Sequence, residues 1–355
     1  MRVCLIASSR FPIAEPFAGG LEAHTALLAA GLRRRGHVVT LFAAAGSDSS
    51  LGVTHLELPL FEPSAAARAD VGAPPESWMR EHHAYLDLMV RLVREGSRHF
   101  DVVHNNSLHH LPVAMASALD VPVVTSLHTP PIAWLESAIA LAPESATFTA
   151  VSRRTADSWA HVVAPVVVPN GVDTRRWTPG PGGPGAIWTG RLVPEKAPHL
   201  AIDAARAAGL PLVVAGPVHD VAYMETQVRP RLGPDVVYAG HLGTDRLVAA
   251  VGASRVALVT PEWDEPYGLV AAEAMACGTP VAALARGGLV DVVGTQGGRL
   301  ASPDDPDALA RAVREAAALS RRQVRAHAVR RCSADRMIRR YERIYRDVAA
   351  GRCAA

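Results

Sequence analysis

The chain has 355 residues, more than a single hydrophobic core usually supports, so two domains are expected. Its formal net charge of +2 is too balanced to argue for a nucleic-acid partner. Hydrophobic residues make up 49% and aromatics only 5%, which suits aliphatic parallel strands covered by helices on both faces. Four scattered cysteines (Cys4, Cys277, Cys332, Cys353) form no C-x-x-C pair and read as reduced thiols rather than metal ligands. No apolar run reaches the ~18 residues of a membrane helix, and the opening Met1–Ser8 reads as a strand rather than a signal peptide. A cytoplasmic protein is expected.

In chain order, strands are expected at 2–7, 38–43, 54–58, 101–104, 121–127 and 147–151. Ala/Leu/Arg stretches of helical period lie between several of them, as at 22–35. The run 83–99 has an apolar face at Leu86, Met89, Val90 and Val93. That face is read as core-directed, with membrane docking as the alternative. Then comes the clearest breaker, Thr178-Pro179-Gly180-Pro181-Gly182-Gly183-Pro184-Gly185, which places a linker near 165–185. Further strands are expected at 186–189, 212–215, 236–239, 256–260 and 280–283, and an Arg-rich helix around 335–348. Strands alternating with helices mean βαβ units. The reading is an N-terminal domain at 1–168, a C-terminal domain at 169–334, and a last segment, 335–355, crossing back to the first. Such domains are expected to hold a ligand at the carboxyl ends of their strands.

Among 36 basic residues lysine occurs once, at Lys196 in Gly190-Arg191-Leu192-Val193-Pro194-Glu195-Lys196. A compact, mobile ammonium kept against an arginine background points to phosphate oxygens. The densest motif is Glu265-Pro266-Tyr267-Gly268-Leu269-Val270-Ala271-Ala272-Glu273. Glu265 sits in a loop after a strand, and Gly268 lets the backbone approach a ligand closely. A helix then opens, leaving the N–H groups of Gly268, Leu269 and Val270 as an anion site. Glu273 follows on that helix, so the two carboxylates can address different parts of an extended ligand.

Glu265-x7-Glu273 followed by Ala274-Met275-Ala276-Cys277-Gly278-Thr279-Pro280-Val281 resembles the donor-site signature of retaining glycosyltransferases of family 4 (glycosyl transferases group 1). Other pieces occur in order: Gly19-Gly20-Leu21-Glu22, Asp101-Val102-Val103-His104, Ser126-Leu127-His128, Pro169-Asn170-Gly171-Val172-Asp173, the Arg191–Lys196 segment, and Gly287-Gly288. The resemblance implies an α/β GT-B fold, two Rossmann-like doubly wound domains facing across a cleft. It implies transfer of a hexose-type sugar from a nucleotide diphosphate sugar, uridine by default, to a hydroxyl acceptor that is a small molecule, a glycan or a lipid. Arg191 and Lys196 would bind the diphosphate, assisted by backbone N–H groups near Gly19 and Gly20. Glu273 would take the ribose hydroxyls, Glu265 the sugar hydroxyls, and the backbone around Gly240-His241-Leu242 the base. His128 would face the anomeric region.

No metal or other cofactor is expected, because Arg191, Lys196 and the Gly268–Val270 helix start supply positive charge. The lone Asp-x-Asp pattern, Asp305-Pro306-Asp307, is read as a helix cap. His104, His109 and His110 have no standard ligand spacing. Glu22 and His24 line the acceptor side or cap a helix. Acceptor loops are expected at 10–17 and 60–78. The alternatives are a nucleotide-sugar epimerase or phosphorylase on the same fold, or a non-catalytic nucleotide-sugar-binding partner protein. A pyridoxal-dependent phosphorylase would need the one lysine already assigned to phosphate. The Arg- and Ala-rich composition points to a high-GC bacterium.

Overall fold

The computed structural model describes residues 1–55, 62–144, 146–303, 305 and 307–352. In the first half, β1 (Arg2–Ile6), β2 (Val38–Ala43), β3 (Val53–His55), β4 (Val102–Asn105), β5 (Val123–Leu127), β6 (Thr147–Ala150) and β7 (Val166–Val167) form one sheet. Its order is β3-β2-β1-β4-β5-β6-β7, and every pairing is parallel. In the second half lie β8 (Ala186–Thr189), β9 (Leu212–Ala215), β10 (Val236–Tyr238), β11 (Val256–Val259), β12 (Val281–Leu284) and β13 (Gly298–Ala301). These form a second all-parallel sheet, β10-β9-β8-β11-β12-β13. Both orders reverse direction at the first strand, the switch point at which doubly wound sheets hold ligands. Two doubly wound α/β domains face each other across a cleft, as the GT-B resemblance implies.

Parallel strands are buried on both faces, so each sheet needs two layers of helix. On the first sheet one layer joins the helix Gly20–Arg34 to the final helix, Ala334–Ala349. Met337, Ile338, Tyr341, Ile344 and Tyr345 of that last helix bury against Val3, Leu5 and Leu28. The opposite layer is the helix Glu76–His99, packed on Cys4, Ile6 and Val103. The chain crosses between halves twice, and the two crossings lie side by side. Val172 N–H donates to the Cys332 carbonyl at 2.7 Å, and Ala334 N–H donates to the Val172 carbonyl at 3.0 Å.

Several sequence expectations shift. The helix 76–99 buries Tyr85, Leu88, Met89 and Leu92, while Leu86 and Val93 are exposed, so its core stripe is turned from the one expected. β7 and β13 were not expected: the first has two residues, and the second reads Gly-Arg-Leu-Ala, poor in β-branched residues. The expected strand 54–58 begins at Val53, and its positions 56–58 lie outside the described residues, as does Cys353. Asp307 is the N-cap residue of the helix Ala308–Ala316 but makes no side-chain cap bond; instead Asp305 Oδ1 accepts from the N–H groups of Asp307 (3.0 Å) and Ala308 (3.1 Å). Pro306 lies outside the described residues. Cys4, Cys277 and Cys332 are free and buried. Among the described residues no helix is long and apolar enough to cross a membrane.

Candidate donor site

A cavity of about 460 Å³ opens between the domains at the carboxyl ends of β1, β5, β8, β9 and β11. The first domain contributes Gly19, Gly20, Glu22 and His128; the second contributes Arg191, Lys196, His241, Leu242, Glu265, Gly268, Leu269, Val270 and Glu273. Gly240 is the one expected donor-site residue outside this wall. It holds φ of +78° and its carbonyl accepts from Gly216 N–H at 2.9 Å, which sets the turn that presents His241.

Local backbone chemistry places these groups. Gly268 has φ of +89°, and a Cβ there would come within 2.4 Å of Leu289, so only glycine serves. The helix Leu269–Ala276 starts at this residue, and no acceptor among the described residues takes the N–H groups of Gly268, Leu269 or Val270. Gly287 and Gly288 lie beneath the Glu265 loop: Gly288 N–H donates to the Glu265 carbonyl at 2.7 Å, and a Cβ on Gly287 would collide with that same oxygen. Across the cleft, a Cβ on Gly20 would stand 3.2 Å from Leu269, so the first domain's glycine loop closes directly over the helix start.

Lys196 Nζ is paired with Glu265 Oε2, and the ammonium lies 4.9 Å from the centroid of the Trp263 ring. Arg191 stands 3.9 Å from Glu195 and stays partly exposed. Glu273 has no hydrogen-bond or ionic partner among the described residues, and burial pushes its carboxyl up to about 8. Burial also raises Glu22, with Arg191 opposing. His128 Nε2 donates to the Asn106 amide oxygen at 2.9 Å. Burial, then His24 and His104, hold His128 well below the ordinary imidazole range, so it is neutral at pH 7. The His24 ring stands edge-on to it at 4.9 Å.

The cavity therefore joins a cationic pair, uncommitted N–H groups at a helix start, an unpartnered carboxylate and a neutral imidazole. That set can neutralise a diphosphate and accept hydrogen bonds from sugar hydroxyls. The description "Glycosyltransferase Family 4" matches residues 18–176, and "Glycosyl transferases group 1" matches residues 178–330. The chain belongs to this glycosyltransferase family. The transferase is 29% identical to glycogen synthase of Mycobacterium tuberculosis (strain ATCC 25618 / H37Rv), over 88% of this chain and 85% of that protein. It is also 29% identical to a D-inositol 3-phosphate glycosyltransferase of Acidothermus cellulolyticus, over 88% of this chain and 82% of that one. The sucrose-phosphate synthase of Thermosynechococcus elongatus shares its fold, with a TM-score of 0.80 at 19% identity over 99% and 100% of the two chains.

Sequence reasoning gave no role to several groups in the transferase's cavity. Asn170, Thr129 and Trp263 line it, and Asn170 Oδ1, Thr129 Oγ1 and Trp263 Nε1 are buried without a partner among the described residues. Asn170 lies within the Pro169–Asp173 motif and Trp263 two residues before Glu265, but a lone amide or indole carries no spacing signal. Trp177 and Trp188 also contribute to the wall.

Proposed function

We propose that this transferase moves a hexose-type sugar from a nucleotide diphosphate sugar to a hydroxyl acceptor with retention of anomeric configuration and without a metal. Uridine diphosphate is the donor nucleotide in this reading, and the cytoplasm is the compartment. The observation that carries it is the convergence of Arg191, Lys196, Glu265, Glu273 and His128, from separate elements of two domains, on one cavity.

In this reading Arg191 and Lys196 bind the diphosphate, joined by the N–H groups of Gly268, Leu269 and Val270 and by the backbone at Gly19 and Gly20. These donors are fixed before reaction and meet the charge that grows on the leaving phosphate. Glu273 accepts from the ribose hydroxyls, and Glu265 holds hydroxyls of the transferred sugar. His241 and Leu242 place backbone against the base. The neutral His128 makes a polar contact near the anomeric carbon and is no nucleophile. As the bond from the anomeric carbon to the phosphate oxygen breaks, the acceptor oxygen bonds to that carbon on the same face. The acceptor proton passes to the departing phosphate oxygen, so no dedicated base is required. Closure of the domains excludes water that would hydrolyse the donor.

The test is calorimetric titration of UDP, GDP, dTDP and ADP in the absence of metal. Tight binding of one, weakened by Lys196→Ala and Glu273→Ala, supports the donor site and names the base. Binding of none, or binding indifferent to both substitutions, overturns the reading.

A further inference from the structure

A file of aromatic and imidazole rings stands at the first domain's side of the cleft. Trp78 stacks on His82 with centroids 5.0 Å apart and planes 13° apart. His82 lies 5.7 Å from His110, and His110 stacks on Trp134 at 5.4 Å and 28°. Beneath, Tyr85 stacks on His109 at 4.4 Å, and His109 on His110 at 4.4 Å. The rings come from three separate segments: the helix Glu76–His99, the turn after β4, and the helix Ala133–Ala140. One such stack could be packing alone. This one ends at the surface, where Trp134 is 64% exposed.

None of these rings lines the donor cavity, but neighbouring groups do. Leu108, next in sequence to His109, lines that cavity, and so does Arg10, whose charge is felt at His109. Tyr85 Oη donates to the Ala7 carbonyl at 2.9 Å at the end of β1, which fixes the stack to the strand that opens the cavity. Its chemistry is mixed. The flat faces favour the C–H faces of a sugar ring. The ring nitrogens of His82 and His110 are uncommitted: neither side chain makes a hydrogen bond or ion pair among the described residues. Both imidazoles are held below the ordinary range by burial and, for each, by a neighbouring imidazole, so they stay neutral donors and acceptors at pH 7. An alkyl chain would leave those nitrogens unsatisfied, whereas sugar hydroxyls match them.

The geometry points to the Trp78–His82–His110–Trp134 file as the acceptor subsite, and to a saccharide as its occupant. This rests on the transferase reading. If the second domain holds the donor, the acceptor enters from the first domain, where His109, His110 and Trp134 follow the carboxyl ends of β4 and β5. Trp134 would then receive a sugar unit beyond the one bearing the reacting hydroxyl.

The test applies the protein, saturated with UDP, to an immobilised panel of oligosaccharides, and separately to phosphatidylcholine vesicles. At least one oligosaccharide is expected to be retained, and Trp134→Ala and His110→Ala should each weaken its retention at least about fivefold. Their affinity for UDP should be unchanged, because neither residue lines the donor cavity. Trp134 is exposed, so its truncation leaves the core intact even if His110→Ala disturbs packing. Retention of no oligosaccharide, retention indifferent to Trp134→Ala, or retention by vesicles alone overturns the subsite. Failure of the wild type to bind any of UDP, GDP, dTDP or ADP instead removes the donor-site reading beneath it.

Discussion

Lys196 Nζ donates to Glu265 Oε2 across the donor cavity, and the same ammonium rests over Trp263. The residue assigned to the diphosphate and the one assigned to the transferred sugar thus hold each other in place. Both side chains are mostly buried, so neither charge is well hydrated when its partner is removed. A donor entering here exchanges this pair for phosphate oxygens at the lysine and hydroxyls at the glutamate.

Lys196→Ala is therefore expected to lower kcat/KM by ~10²-fold or more, since it removes a charge aimed at the leaving group and leaves Glu265 unpaired. Lys196→Arg should recover only part of this, because a planar fork does not replace a compact ammonium. Steady-state kinetics with the cognate donor decide it. Turnover near wild type in Lys196→Ala would remove the phosphate role.

Glu273 ties donor binding to protons. Its carboxyl titrates at about 8 in the folded protein, above the ordinary value of 4.5, so it is largely protonated at pH 7. Ribose hydroxyls donate best to the ionised form, so UDP binding should expel a proton and tighten as pH rises from 7 toward 8. For folding the sign is opposite. The native state holds the extra proton between pH 4.5 and about 8, so this group's contribution to stability declines across that window as pH rises. Calorimetry in buffers of different ionisation enthalpy reads the released proton. Glu273→Gln should abolish the release and weaken binding; proton release unchanged in that variant would place the effect elsewhere.

Transfer is expected to persist in excess chelator, because Arg191, Lys196 and the Gly268–Val270 helix start meet the leaving group's charge. Activity lost to EDTA and restored by Mg²⁺ would assign that task to a metal.

The sheets were legible because long Val/Leu/Ala runs alternate with helical segments, and the β8 and β9 expectations match the structure residue for residue. The residues that meet in the candidate site were legible because a charge such as Lys196 or Glu265 sits at a fixed place in a strand–loop–helix unit. What escaped depends on distant parts of the chain meeting. His109 and His110 were read only for metal spacing, yet their surroundings come from Trp78, His82 and Trp134, each remote in sequence. The same holds for the turned stripe on the helix 76–99. Its period is helical, but which of several apolar residues faces the sheet is set by Cys4 and Val103, which no local pattern reveals.

A buried polar network fastens the last helix to the first sheet. Tyr345 Oη and His104 Nδ1 share a hydrogen bond at 2.5 Å, and His104 Nε2 bonds Ser126 Oγ at 2.8 Å, where Tyr341 Oη also arrives at 3.0 Å. Tyr345→Phe leaves His104 Nδ1 buried without that partner, so it should cost about 1–3 kcal/mol. The urea midpoint measures this; an unchanged midpoint would mean that another partner replaces the hydroxyl.

The buried imidazoles also set the response to acid. Burial lowers His24 to about 4 and His104 and His109 to about 3, and it holds His128 well below 6.5. Below pH 6.5 the unfolded chain binds protons that these four side chains refuse in the native state, so their contribution to stability is complete above pH 6.5 and declines as pH falls toward 4. Glu273 and Glu22 act in the opposite sense over the same range, but they are two groups against four. The urea midpoint should therefore fall between pH 6.5 and 4.5. Among the described residues neither His24 ring nitrogen meets a partner in hydrogen-bonding geometry, and the ring stands against His128, so His24→Phe should reduce that fall. A midpoint that holds steady down to pH 4.5, or an acid response unaltered in His24→Phe, would show that these rings become protonated without opening the fold.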